Sequence, residues 1–341
     1  MVDNQMRVVQ FRQPGHPADV LSCINQPVPQ PAHGEVRVRM LAAPINPSDL
    51  MFIRGRYTLQ ASCPAIPGFE GVGIVEHSGG DLRGRLFQGR RVVVLSRTGG
   101  TWAEQTVVPS AQVIPVSRSL SDEQAATFFV NPATAWVMTQ EVLRVPQGQW
   151  LVQTAAGSAL GRMIVRLGQR VGFRSLCVVR RESSAEELRA LGADCVVVFN
   201  EAEDDPGQLT ETLRQIVGES GVGYAVDAVG GRTGSAVIRS LGRGARMLAF
   251  GTLSGEPLQF SPRTLMTVGS SVEGFWLGNF LADKGLLFRL GLVRRLTSLI
   301  RAGVLDSEIA GSWKPDQVAV AVRAAEDSSI NGKCLLRFDT N

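Results

Sequence analysis

The sequence predicts an α/β protein of two domains, one β-rich and one built on a doubly wound parallel sheet. Three observations carry that prediction. The chain has 341 residues, more than a single hydrophobic core ordinarily serves. Short apolar runs separated by Gly and Pro fill residues 1 to about 115, the texture of many short strands. Beyond about residue 150 strand-like and helix-like stretches alternate, which predicts parallel strands with helices crossing between them.

Composition narrows the class. Hydrophobic residues at 44% and charged residues at 19% describe a globular chain, neither disordered nor membranous. No apolar run reaches the ~18–20 residues that span a bilayer. The opening MVDNQMRVVQF has no charged n-region followed by an apolar stretch, so no signal peptide is expected and the expected location is the cytoplasm. The five cysteines form no C-x-x-C pair, and His16, His33 and His77 lack metal-ligand spacing; neither a disulfide framework nor a zinc lobe is expected. The net charge of +4 is dispersed, without the basic, aromatic-laced stripe of a nucleic-acid groove. All but three of the 35 basic residues are arginine.

The β-rich part reads from EVRVRMLAAPI, GFEGVGIVEHSGG, RRVVVLS and AEQTVVP, and suggests a barrel-like domain. In SLSDEQAATFF, Ser121 is the expected N-cap of a helix, with Asp122 and Glu123 in its first turn. That helix is expected to run to about residue 143, disturbed by Pro132. Strands are expected at 150–154, 176–179, 195–199, 224–228, 246–250 and 271–275, with helices such as SAEELRALG and RTGSAVIRSLG between them. A long amphipathic helix over about 280–302 and a last strand, KCLLRF, close the chain.

The stretch QTAAGSALG joins the first strand of the alternation to a helix. Leu160, Met163, Ile164, Leu167 and Val171 fall on one helix face, suited to packing on a sheet. The layout is that of a dinucleotide-binding turn, yet Ala156 and Ser158 stand where the first two glycines of G-x-G-x-x-G belong, and only Gly161 keeps its place. Phosphate binding at a helix N-terminus needs free N–H groups and room for close approach; the small residues Ala155, Ala156, Gly157, Ser158 and Ala159 nearly provide both, and Ala156 to Gly161, Leu160 included, is the stretch expected along the cofactor. The next strand ends in Arg180 and Arg181, with no acid to receive a ribose 2′-hydroxyl. A basic pair there suits a 2′-phosphate, and hence NADPH.

Taken in order, NPSDL (46–50), PGFEGVGIV (67–75), NPATAW (131–136), the cofactor turn, LGAD (191–194), VDAVGG (226–231) and NGK (331–333) resemble the medium-chain dehydrogenase/reductase superfamily along nearly the whole chain. Within it the sequence is most similar to the zinc-free 2-enoyl thioester reductases, on GRY with Tyr57, QTAAGSALG, the V-V-R-basic strand end and GFW at 274–276. Quinone oxidoreductases are close relatives. The resemblance implies a GroES-like catalytic domain (1–124 and 272–341), a Rossmann domain (125–271) and a homodimer.

Zinc alcohol dehydrogenases of that superfamily carry a cysteine near the segment that here reads Asn46-Pro47-Ser48-Asp49, and a histidine where Phe69 stands. Glu70 alone cannot hold Zn²⁺, so a metal-free enzyme is expected. The resemblance makes Tyr57 the catalytic phenol, donating to an enolate oxygen and yielding a proton. It places Trp276 and Asn46 beside the reaction, and Thr134, Gly251, Phe275 and Lys333 along the cofactor. Asp49 and Glu70 read as buried carboxylates that hold backbone, and Asp227 as the organiser of a turn. Three functions stand: reduction of a 2-enoyl thioester by NADPH, reduction of a quinone or enone, and NADPH binding without catalysis.

Overall fold

The structure is a computed structural model describing residues 5–327 and 330–338. It divides into two units: Met1–Val130 with Asp306–Asn341, and Asn131–Leu305.

Unit 1 holds strands β1 (Gln5–Phe11), β2 (Leu21–Pro27), β3 (Glu35–Pro44), β4 (Glu70–Ser78), β5 (Arg91–Leu95), β6 (Gln105–Pro109) and β7 (Val113–Pro115). Unit 2 continues with β8 (Trp150–Thr154), β9 (Arg174–Val179), β10 (Cys195–Val198), β11 (Val222–Asp227), β12 (Leu241–Ala249) and β13 (Ser271–Gly274). The chain then returns to unit 1 as β14 (Ile309–Trp313) and β15 (Lys333–Arg337).

In unit 1, β1 and β2 form a hairpin, and a larger sheet runs β14-β15-β3-β4-β5-β7 with β6 also paired to β3. Phe11, Phe52, Met40, Ile53 and Trp102 fill its core, the first two edge to face at 5.6 Å. The return strand β15 lies antiparallel to β3, with Leu335 opposite Pro44. That pairing brings Lys333 beside the helix Pro47–Ile53 that follows β3.

Unit 2 is a parallel sheet in the order β10-β9-β8-β11-β12-β13. Strand order reverses between β8 and β11, and the carboxyl ends at such a switch point open a crevice where ligands bind in doubly wound folds. The helix Ala159–Val171 leaves β8 there with Leu160, Met163, Ile164 and Leu167 buried, as its apolar spacing predicts.

Three expectations are revised. The stretch 121–143 is not one helix: Ser121 caps a short helix Asp122–Ala126, and a second, Val130–Trp136, runs into a π-helix, Val137–Val142. Pro132 falls in the second helix's first turn, where its missing N–H costs little. The helix expected over 280–302 is likewise two, Leu277–Ala282 and Leu286–Arg301, with Gly285 as the N-cap of the latter. Residues 272–305 belong to unit 2, because β13 pairs with β12 from Arg246↔Ser271 to Ala249↔Gly274 and Arg166 Nε donates to Val304 O at 3.1 Å.

Candidate active site

The turn of unit 2 is shaped by its own backbone. Ser158 is the N-cap of the helix Ala159–Val171, its hydroxyl accepting the Gly161 N–H at 3.1 Å. The first N–H groups of a helix have no intrahelical partner, and together with the positive dipole end they make this an anion site. A Cβ on Gly161 would sit 2.3 Å from Ala156 O, so the third glycine of the fingerprint is kept for tight strand–helix packing. Gly161→Ala is expected to destabilise the fold by about 1–3 kcal/mol through overpacking, read as a fall in thermal midpoint.

Ala155 adopts the left-handed region at φ 50°, a conformation costing a residue with a Cβ about 1–2 kcal/mol. Ala155→Gly is therefore expected to stabilise the chain by about 0.5–1 kcal/mol after glycine's larger unfolded-state entropy is counted. Denaturant unfolding measures it.

Two interactions that no sequence motif announced lock the turn. Arg162 reaches back from the helix so that its Nε donates to Gly157 O at 3.2 Å, while its guanidinium pairs with Glu187. At the neighbouring strand end, the Thr154 hydroxyl donates to Asp227 Oδ1 at 2.5 Å and accepts the Ala228 N–H at 2.9 Å. Asp227 also accepts the N–H groups of Val229 (3.1 Å) and Gly230 (3.0 Å). Asp227 thus organises the loop after β11, as read from VDAVGG, and ties it to β8 across the switch point.

The other unit 2 candidates fall on distinct features. Arg180 follows β9 and is exposed, and Arg181 is the N-cap residue of the helix Glu182–Leu191. Arg180 makes no hydrogen bond or ion pair among the described residues, so its donors are unspent. Gly251 is required by packing: a Cβ there would stand 2.5 Å from Ala228 O. Thr134 is buried in the helix Val130–Trp136. Phe275 is buried with its N–H on Ala249 O at 2.8 Å, whereas Trp276 is 41% exposed at the start of the helix Leu277–Ala282.

In unit 1 the motifs NPSDL, GFE and NGK converge. Asn46 begins the helix Pro47–Ile53 and Asp49 is its third residue. Asp49 is fully buried, with Oδ2 accepting the Asn46 N–H at 2.7 Å and Oδ1 the Phe69 N–H at 3.1 Å. Glu70 accepts Asn46 Nδ2 at 2.9 Å through Oε1, and the Val130 N–H at 3.0 Å through Oε2. Lys333 Nζ donates to Asn46 Oδ1. Burial pushes both carboxyls up, Asp49 to about 7, and pushes the Lys333 ammonium down; the opposite charges within the cluster counter part of that. Asp49 and Glu70 hold backbone, as their sequence contexts suggested.

Two residues expected at the reaction and along the cofactor lie in this cluster. Both ends of the Asn46 amide bond inside unit 1, the oxygen accepting from Lys333 and the nitrogen donating to Glu70. Lys333, expected along the cofactor, is buried and its ammonium answers Asn46 and the two carboxylates. A basic residue after Asn-Gly in a C-terminal strand does not by itself disclose burial.

Tyr57 lies beyond that helix, half-buried, its ring 5.3 Å from Phe69 at 34°. Desolvation first, and the charge of Asp49 second, push its phenol up to about 12. A phenol so placed remains protonated at neutral pH and serves as a hydrogen-bond donor to a developing oxyanion. Among the described residues no group of three or more His, Cys, Asp or Glu side chains is placed to hold a metal ion.

A switch-point turn with unspent Arg180 donors beside it suits a dinucleotide and places unit 2 in the class of doubly wound dinucleotide-binding domains. Comparison with known proteins makes it specific. Residues 159–288 match the zinc-binding dehydrogenase family model and residues 32–118 the alcohol dehydrogenase GroES-like domain. The mitochondrial enoyl-[acyl-carrier-protein] reductase of Schizosaccharomyces pombe is 30% identical over 88% of this chain and 84% of its own. A Bacillus thuringiensis structure assigned as an NADPH:quinone reductase is 31% identical with TM-score 0.88, covering 98% of this chain and 99% of that one. A mycobacterial protein solved with NADPH is 26% identical with TM-score 0.86, covering 98% and 100%. The chain belongs to the medium-chain dehydrogenase/reductase superfamily of oxidoreductases.

Proposed function

We propose that the chain is a zinc-independent, NADPH-dependent reductase of the C=C bond of 2-enoyl thioesters, carried on coenzyme A or acyl carrier protein. The observation that carries the reading is Tyr57, a half-buried phenol held protonated against Phe69, in a chain 30% identical to an enoyl-[acyl-carrier-protein] reductase. The residues of unit 2 fit the cofactor: small residues at the helix N-terminus, a capped first turn, and Arg180 with unspent donors for a 2′-phosphate. When bound, NADPH supplies the hydride that adds to the β-carbon. Tyr57 donates a hydrogen bond to the thioester oxygen as enolate charge develops there. A proton then reaches the α-carbon, with the phenol as its nearest acid on this reading.

The test follows NADPH absorbance with crotonyl-CoA, a long-chain enoyl-CoA and a quinone in parallel. Turnover of the thioesters supports the reading; turnover of the quinone alone would sink it. The quinone alternative draws on the Bacillus thuringiensis relative. Tight NADPH binding with no turnover of any acceptor favours a non-catalytic NADPH-binding protein.

We also read the enzyme as a cytoplasmic homodimer. β13 is the last strand of the parallel sheet, and Trp276, Leu286, Leu287 and Leu290 are exposed just beyond it. A sheet edge with exposed apolar neighbours is a pairing surface. Light scattering after size exclusion gives the mass that decides it.

A further inference from the structure

The cluster of unit 1 bears on Tyr57 through one side chain. Asp49 is seated in a helix of the unit's core, and its two carboxylate oxygens grip two different segments. One takes the Asn46 N–H and so fixes the start of the helix Pro47–Ile53, which leads to residue 57. The other takes the Phe69 N–H. The Phe69 ring then stands 5.3 Å from Tyr57 and 5.3 Å, edge to face, from Phe52. The seat of the phenol is therefore built on a residue whose backbone Asp49 holds.

We propose that Asp49 is a positioning residue for Tyr57, fixing the ring's seat through Phe69 and setting the phenol's electrostatic surroundings by its own charge. The functional part rests on the reading of Tyr57 as the reductase's acid. An ionised Asp49 opposes formation of a phenolate nearby, adding to the burial that already holds Tyr57 protonated; protonating Asp49 withdraws that field and weakens its grip on the Phe69 N–H. The charged and titratable groups facing Asp49 are Glu70 on β4, Lys333 on β15 and Tyr57 itself, with Cys334 beside Lys333. Burial pushes the Asp49 carboxyl up to about 7.

The chain has only two tyrosines, Tyr57 and Tyr224, and Tyr224 lies in β11 of the other unit. A Tyr224→Phe chain labelled with meta-fluorotyrosine thus carries one fluorine resonance, that of Tyr57. Its shift is expected to inflect near pH 7, and the inflection to vanish in Asp49→Asn. A shift independent of pH with Asp49 present overturns the proposal, and needs no variant at that position. So does an inflection that persists in Asp49→Asn, which assigns it to Glu70 or Lys333. In enoyl-thioester turnover, Asp49→Asn is expected to lower kcat about 10- to 100-fold with the KM for NADPH unchanged; an unchanged kcat overturns the positioning role. The resonance is read without substrate, so a chain that reduces no thioester but shows the inflection fails the functional reading alone.

Discussion

Tyr57→Phe is expected to lower kcat for enoyl-thioester reduction by about 10²–10⁴-fold, the range for loss of a positioned acid. The substitution keeps the ring and its packing on Phe69 at 5.3 Å, so the fold and NADPH affinity are expected to stay as they are. Only the O–H is lost. Because the phenol is pushed up to about 12 by burial and then by the Asp49 charge, it is a donor at every pH below that. The parent's pH profile should therefore show no fall from phenol ionisation in the neutral range. Stopped-flow measurement of hydride transfer at saturating NADPH separates the chemical step from binding. A Tyr57→Phe chain that turns over at the parent rate removes Tyr57 from the mechanism.

Replacing Arg180 and Arg181 together by alanine is expected to weaken NADPH binding about 10²-fold while changing NADH binding by less than about threefold. The physical reason is the sign and reach of the strand end. Arg180 is exposed with unspent donors, and Arg181 stands at the N-cap of the next helix. Guanidinium groups there add affinity only for the cofactor that carries a 2′-phosphate. Fluorescence titration with both cofactors reads the ratio, and an equal loss for the two refutes the assignment. Higher salt should erode the NADPH preference of the parent, since exposed charges are screened.

How legible each part was depended on how local its cause is. Each expected strand of unit 2 is present, β8 to the residue and β13 ending one residue early, but β12 begins at Leu241, five residues before its expected start. The Ser121 cap was legible too, because its partner Gln124 lies three residues away. The missed elements depend on distant partners. β14 forms because β15 lies beside it, and nothing in residues 309–313 alone demands a strand. The helix over 280–302 was read as continuous because its apolar spacing continues across Asp283-Lys284-Gly285. In the folded chain Lys284 lies over the rings of Phe280 and Phe288, and Gly285 restarts the helix.

The candidate site divides in the same way. The turn after β8, the basic strand end and the GRY segment stood out by residue type and order, and they sufficed to identify the family. The roles of Asn46 and Lys333 did not, since 287 positions separate them along the chain while their side chains bond in the fold. Arg162 and Thr154 were likewise silent. An arginine in a helix and a threonine at a strand end are unremarkable until the Gly157 carbonyl and the Asp227 carboxylate are brought within 3.2 and 2.5 Å.

By itself the sequence determined the two-domain α/β class, the strand–turn–helix that suits a phosphate, and the basic strand end beside it. Those features arise from local periodicity, residue size and the charge of a few consecutive residues. The tertiary structure alone decided that the helical residues after β13, up to Leu305, stay with unit 2, that Asn46 and Lys333 are bound into a buried cluster, and that Asp49 holds the residue on which Tyr57 rests. Each of these is a pairing between segments remote in sequence, and the cost of burying an unpaired charge or N–H is what selects the partner.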